Sequence, residues 1–351
     1  MYPGSLLHMK IALIANVVER VPPKKYGGTE RVIYYLTEHL VKMGHAVTLF
    51  ATGDSVTSAK LSFVVPRNLR ETGHKDLYGY NLPSFRHMGL VYTRATEFDI
   101  IHDHNGYLSL PTANISNTPV LLTLHGSFDP VNKQFYSKLD KKVKFVSISK
   151  RQAAWAPNLN WAGTVYNGLK FDKFPFEKNP GEYLLYVGRM SYEKGAHIAI
   201  EVAQYLNLPL VIAAKLDSVD LNYYQDYVGP HLGSQIKWVG EVDEEERNKL
   251  MSRALCLLHP ITWEEPFGLT MIETMACGTP VIAFNKGSIP EVVNNCKSGF
   301  IVEDVEEMIN AVLNIKQISR KYCRDYALKN FNAQKMTEGY LKIYNKILEE
   351  N

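Results

Sequence analysis

Short apolar runs rich in Val, Ile, Leu and Phe recur along the chain, separated by stretches of mixed polarity. In the first half they are residues 10–16 (KIALIAN), 46–52 (AVTLFAT), 98–103 (FDIIHD), 119–125 (PVLLTLH) and 143–149 (VKFVSIS). Near-continuous apolar runs of this length predict parallel strands covered on both faces. Between the first two, residues 27–43 place Val32, Leu36, Leu40 and Met43 at helical spacing, and Gly44 stands where that helix should end. The pattern restarts after about residue 168. Residues 183–188, 208–214, 236–240, 255–259, 280–284 and 299–302 read as strands, with helices expected over 194–206, 244–253, 267–277 and 305–316. The segment 168–180 (GLKFDKFPFEKNP) has no period and is the expected linker. Alternating strands and helices of this kind predict an α/β fold. Two parallel sheets would stand in series with a cleft between them, and ligands would sit beyond the carboxyl ends of the strands.

The length of 351 residues suits two domains. No run of 18 uncharged apolar residues occurs, so no spanning helix is expected. Residues 1–8 lack the apolar core of a secretory signal, and four scattered cysteines without a C-x-x-C spacing argue against a disulfide or zinc scaffold. These features predict a reduced, cytoplasmic protein. The net charge of +3 conceals an asymmetry: residues 1–168 carry 19 Lys and Arg against 11 Asp and Glu, and residues 169–351 carry 20 against 25. Much of the excess lies in Lys133, Lys138, Lys141, Lys142, Lys144, Lys150 and Arg151. That cluster is either a solvated face or a patch for an anionic acceptor or an acidic membrane surface. No nucleic-acid-binding signature accompanies it.

Four loops after strands carry the candidate chemistry. Gly27-Gly28 opens the first long helix, where bare backbone amides and the helix dipole favour an anion, although an ordinary turn would read the same way. No G-x-G-x-x-G follows the first strand, which disfavours a nicotinamide enzyme. Gly188-Arg189, with Lys194-Gly195 shortly after, puts two cations at a strand end, positioned for a diphosphate. In Trp263-Glu264-Glu265-Pro266-Phe267-Gly268-Leu269-Thr270-Met271-Ile272-Glu273, two carboxylates flank a strand-to-helix junction. The free amides of Phe267, Gly268, Leu269 and Thr270 would form an anion site there, and Glu265 and Glu273 suit the hydroxyls of a sugar or ribose. His125-Gly126 ends another strand, and His102 and His104 share a face, so that a metal pair is conceivable but lacks a third ligand.

Taken in order, these residues resemble the retaining glycosyltransferases of family 4, over nearly the whole chain. The likeness rests on Gly27-Gly28, His125, Asn167-Gly168, Gly188-Arg189 with Lys194-Gly195, Glu265 and Glu273 around Phe267-Gly268-Leu269, and Gly278-Thr279-Pro280-Val281. The resemblance implies the GT-B fold: an acceptor-binding Rossmann-like domain over 1–168, to which a last helix near 332–351 crosses back, and a nucleotide-sugar-binding domain over 169–331. It implies a hexose-type transfer from a nucleotide-diphospho-sugar, UDP- or GDP-linked, with net retention of anomeric configuration. The acceptor, whether lipid, glycan or small molecule, is left open. Arg189 and Lys194 would hold the diphosphate, Glu265 the donor sugar and Glu273 the ribose. His125 and the Gly27-Gly28 loop would line the reaction centre. No Asp-x-Asp occurs in the chain, so a metal-independent reaction without a further cofactor is expected. Arg189 and Glu265 are expected at the cleft, outside the core. A sugar-nucleotide epimerase, a glycan phosphorylase and a non-catalytic nucleotide-sugar-binding protein are the competing readings.

Overall fold

Residues 8–25, 27–73, 81–138 and 142–350 are described by a computed structural model. Its contacts divide the chain into two units, Met1–Leu169 with Ala333–Asn351, and Lys170–Asn332. The first unit holds Lys10–Ile14 (β1), Ala46–Phe50 (β2), Lys60–Ser62 (β3), Ile100–Asp103 (β4), Val120–Thr123 (β5), Lys144–Ser147 (β6) and Trp161–Thr164 (β7). They form one parallel sheet in the order β3-β2-β1-β4-β5-β6-β7. The second unit holds Leu184–Arg189 (β8), Leu210–Lys215 (β9), Ile236–Gly240 (β10), Cys256–His259 (β11), Val281–Phe284 (β12) and Gly299–Val302 (β13). These also pair in parallel, in the order β10-β9-β8-β11-β12-β13. Each sheet reverses its winding once, between β1 and β4 and between β8 and β11. In doubly wound sheets such a switch point opens a crevice at the carboxyl strand ends.

The expected apolar runs all became strands. β3 and β7 were not expected. They close the two edges of the first sheet, and their partly exposed residues give no apolar run to read. The helix Gly28–Lys42 buries Val32, Ile33, Leu36 and Leu40, and Gly44 follows it with a φ of +91°. The long helix Ala333–Glu349 packs on it within the first unit and buries Tyr340, Leu341, Tyr344 and Ile347.

Two expected helices start later than their apolar pattern suggests. Residues 192–194 form a separate 3₁₀ turn before Ala196–Leu206, and the helix expected from 267 begins at Leu269. In both cases a glycine in the left-handed region, Gly195 or Gly268, resets the backbone before the helix. The segment 168–180 is more than a spacer: Phe171 and Phe174 are buried edge to face, with ring centroids 5.2 Å apart. Arg320 ties it down by donating to the Glu177 carbonyl at 2.7 Å. Among the described residues no helix is long and apolar enough to cross a membrane.

Candidate active site

In the second unit the chemistry gathers at the ends of β8 and β11. Arg189 is the last residue of β8. Its guanidinium pairs with Glu193 and lies 3.7 Å from Asp220, with its side chain 37% exposed. The 3₁₀ turn Tyr192–Lys194 then folds against the loop after β11, where the Thr262 amide donates to the Glu193 carbonyl at 2.9 Å. Only glycine fits at 195, because a Cβ there would stand 2.2 Å from the Pro260 carbonyl oxygen. This close approach delivers Lys194 Nζ to Glu265 Oε2 at 2.5 Å. The ammonium also sits 4.5 Å over the Trp263 ring, whose Nε1 donates to the same carboxylate oxygen at 3.1 Å. Lys194 and Glu265 are only 17% and 12% exposed, so Glu265 is far more enclosed than a residue at an open rim would be. Arg189 remains substantially open.

Glu264 and Glu265 have separate tasks. The Glu264 carboxylate accepts from the Gly287 amide at 3.0 Å, whereas the Glu265 backbone carbonyl accepts from Ser288 at 2.9 Å. Gly287 is pressed so closely on this loop that a Cβ would lie 2.2 Å from the Glu265 carbonyl oxygen. One carboxylate is thereby spent on holding the loop while its neighbour turns to Lys194. Gly268 caps the helix Leu269–Ala276, whose first-turn amides, at Leu269 and Thr270, have no carbonyl one turn back. Phe267 is buried against Phe331, with ring centroids 5.9 Å apart. Glu273 lies inside this helix, fully enclosed, and is held by Arg247 at 3.1 Å.

Two participants here were missed by sequence reasoning. Arg247, on the helix Glu244–Arg253, is one; nothing in its spacing points to Glu273. The other is His259, the last residue of β11. Its buried Nε2 has no partner among the described residues and lies 3.7 Å from where a Gly268 Cβ would stand. Burial lowers its pKa to about 4, so the ring is neutral. Its position at a strand end beside the Pro-Phe-Gly junction was the available signal.

In the first unit Gly27 precedes the helix Gly28–Lys42 without a side-chain cap, and Asn16, just after β1, donates to the first-turn carboxylate of Glu30 at 2.6 Å. Tyr26 of the same loop lies outside the described residues. β4 and β5 are neighbours, so His104 and His125, just past their ends, meet: His104 Nδ1 is 2.8 Å from His125 Nε2. Burial lowers the His125 pKa to about 4. The metal pair conceivable for His102 and His104 is not formed. Both nitrogens of His102 are occupied, Nδ1 by the Tyr344 hydroxyl at 2.6 Å and Nε2 by Thr123 Oγ1 at 2.7 Å. Among the described residues no group of three or more His, Cys, Asp or Glu is placed to hold a metal ion.

The basic cluster spreads over several elements. Lys133 and Lys138 are exposed on the helix Pro130–Lys138, as is Lys142 after it, while Lys144 pairs with Glu350 at 3.4 Å. Lys141 lies outside the described residues.

Residues 170–330 match the family profile "Glycosyl transferases group 1", and residues 26–162 match "Glycosyltransferase Family 4". The chain is 24% identical to spore coat protein SA of Bacillus subtilis over 96% of this chain and all of that one. It is 26% identical to glycogen synthase of Mycobacterium tuberculosis, over 79% of each chain. Its fold is similar to that of Anabaena Alr3699/HepE, solved in complex with UDP and glucose. The TM-score is 0.74 at 18% identity, covering 97% of this chain and 100% of that one.

Proposed function

The chain belongs to the family 4 glycosyltransferases of GT-B fold, and from that premise we propose that it moves a hexose-type sugar from a UDP- or GDP-linked donor to an acceptor hydroxyl with retention of anomeric configuration. The observation that carries the reading is the enclosed Lys194–Glu265 pair beside the open guanidinium of Arg189, at the switch point of the second sheet. Arg189, Lys194 and the amides at the start of the helix Leu269–Ala276 receive the diphosphate. As the glycosidic bond breaks, negative charge grows on the departing phosphate, and fixed cations and backbone dipoles lower that barrier. Glu265 accepts from hydroxyls of the donor sugar, and Glu273, held by Arg247, accepts from the ribose. The first unit receives the acceptor, with His125 and the Gly27-Gly28 loop as its reactive groups. The basic cluster around Lys133, Lys138 and Lys142 favours an anionic acceptor or an acidic membrane surface on the cytoplasmic face.

Nucleotide release from a panel of nucleotide sugars, with and without glycan, lipid and small-molecule acceptors, tests the proposal. Acceptor-dependent release with a glycosylated product supports it. Isomerised or free sugar without an acceptor points to an epimerase, and binding without turnover to a non-catalytic protein. A thermal-shift panel of the same donors identifies the base and sugar, because a ligand bound to the native state raises its melting temperature.

A further inference from the structure

The histidines at the ends of β4 and β5 form a chain whose protons can be assigned. Thr123 Oγ1 donates to the Tyr340 hydroxyl at 3.2 Å, so toward His102 Nε2 it acts as acceptor. His102 therefore carries its proton on Nε2, and its Nδ1 accepts from Tyr344. His104 packs at a tilt against His102, with ring centroids 4.2 Å apart, and turns its Nδ1 to His125 Nε2. One proton is shared in that contact, and the far side of His104 decides which ring supplies it. Among the described residues, His104 Nε2 is buried with no partner. If His125 were the donor, His104 would carry its proton on that Nε2 and bury an orphaned N–H, which folded proteins avoid more strictly than an idle acceptor. With His104 as donor, only a lone pair is left unused. Protonating both rings would place adjacent positive charges in a buried site.

Resting on the reading that His125 serves the reaction centre, we propose that His104 is a positioning residue: its Nδ1–H occupies the Nε2 lone pair of His125 and fixes that ring as a neutral donor through Nδ1–H. His125 then has no free lone pair with which to take a proton. It gives a hydrogen bond to an oxygen of the acceptor; as the acceptor hydroxyl oxygen bonds the anomeric carbon and the glycosidic C–O bond breaks, the hydroxyl proton goes to the departing phosphate oxygen. His102 packs against His104 and is itself contacted by Thr123, Tyr340 and Tyr344; these four groups are buried and uncharged.

The experiment is ¹⁵N imidazole NMR of the full chain, with His125 assigned by comparison with His125→Gln, together with kinetics of two His104 variants. His104→Asn retains an N–H near the Nδ1 position, and His104→Phe keeps an aromatic ring without a donor. The expected spectrum shows His125 as the Nδ1–H form. His104→Phe should lower kcat by about tenfold, the equivalent of one hydrogen bond in the transition state, with little change in donor KM. His104→Asn should recover most of that loss. Wild-type His125 in the Nε2–H form overturns the proposal, and so does a His104→Phe variant with normal kcat and an unchanged His125 spectrum. The NMR arm needs no turnover, so a protein with the expected tautomer that transfers no sugar would sink the functional reading and leave the assignment standing. Sugar transfer with the opposite tautomer would do the reverse.

Discussion

Lys194 and Arg189 are expected to matter equally to turnover and very differently to folding. The reason is the environment of their partners. Arg189 and Glu193 are 37% and 35% exposed, where water screens the pair, and exposed ion pairs contribute at most about 1 kcal/mol. Lys194 and Glu265 are 17% and 12% exposed, 2.5 Å apart, and the carboxylate also binds the Trp263 N–H. Removing one partner from a pair so enclosed leaves a charge with little water to receive it, at a cost of about 3 kcal/mol. Glu265→Gln should therefore lower the unfolding free energy of its unit by about that amount, and Arg189→Ala by no more than about 1 kcal/mol. The double variant Lys194→Met, Glu265→Gln should be more stable than the sum of the singles predicts, because no lone charge remains. In turnover, each single change should lose on the order of a hundredfold, equivalent to about 3 kcal/mol of transition-state stabilisation. The measurements are urea unfolding, which needs no substrate, and nucleotide release at saturating donor. Glu264→Gln is the control, since an amide oxygen can still accept from Gly287. Equal losses of stability in Arg189→Ala and Glu265→Gln, or strict additivity in the double variant, would refute the electrostatic account. If Glu264→Gln abolishes turnover while Glu265→Gln is silent, the register of the two carboxylates is wrong.

Turnover should persist in EDTA, because Arg189, Lys194 and a helix N-terminus supply the positive charge that a metal would otherwise bring; complete loss, restored by magnesium or manganese, contradicts this. Reversing Lys138, Lys141 and Lys142 to Glu should weaken use of an anionic acceptor or binding to anionic liposomes, more at low salt than at high; unchanged behaviour in both assays leaves the cluster as a solvated face. Stability should fall as pH drops from about 6.5 toward 4. His87, His125 and His259 are held near 4 by burial, so the unfolded chain binds more protons in that window and stability rises with pH through it. A urea midpoint that is flat between pH 7 and 5 would contradict the burial of these rings.

What could be read from the sequence follows a physical division. Strands covered on both faces announce themselves as apolar runs, and β1, β4, β8 and β11, which flank the two switch points, were all visible for that reason. β3 and β7 were invisible because edge strands need no such run. The positions of Glu265 and Gly268 were legible because Pro-Phe-Gly marks a junction. The enclosure of Glu265 was not, since it depends on how near Gly195 comes to Pro260. Arg247 and Glu273 meet across two helices, and no local pattern records such a contact. The pairing of His104 with His125 lay within reach, given that parallel neighbours bring their carboxyl ends side by side. Their shared face on one strand suggested a metal for His102 and His104 only because the hydroxyls of Tyr340 and Tyr344 arrive from more than 200 positions away.

The helix Ala333–Glu349 has a consequence for the order in which the protein is made. It inserts Tyr340 and Tyr344 into the first unit, yet it is translated after the whole of the second unit. Residues 170–332 form a continuous segment that can collapse as soon as it clears the ribosome. Residues 8–169 must wait, with the hydroxyl partners of His102 and Thr123 still unmade, until residues 333–349 have been made. The unit encoded first is therefore completed after the second, and a ribosome that stalls just past residue 332 would leave one finished unit tethered to one that lacks its closing helix.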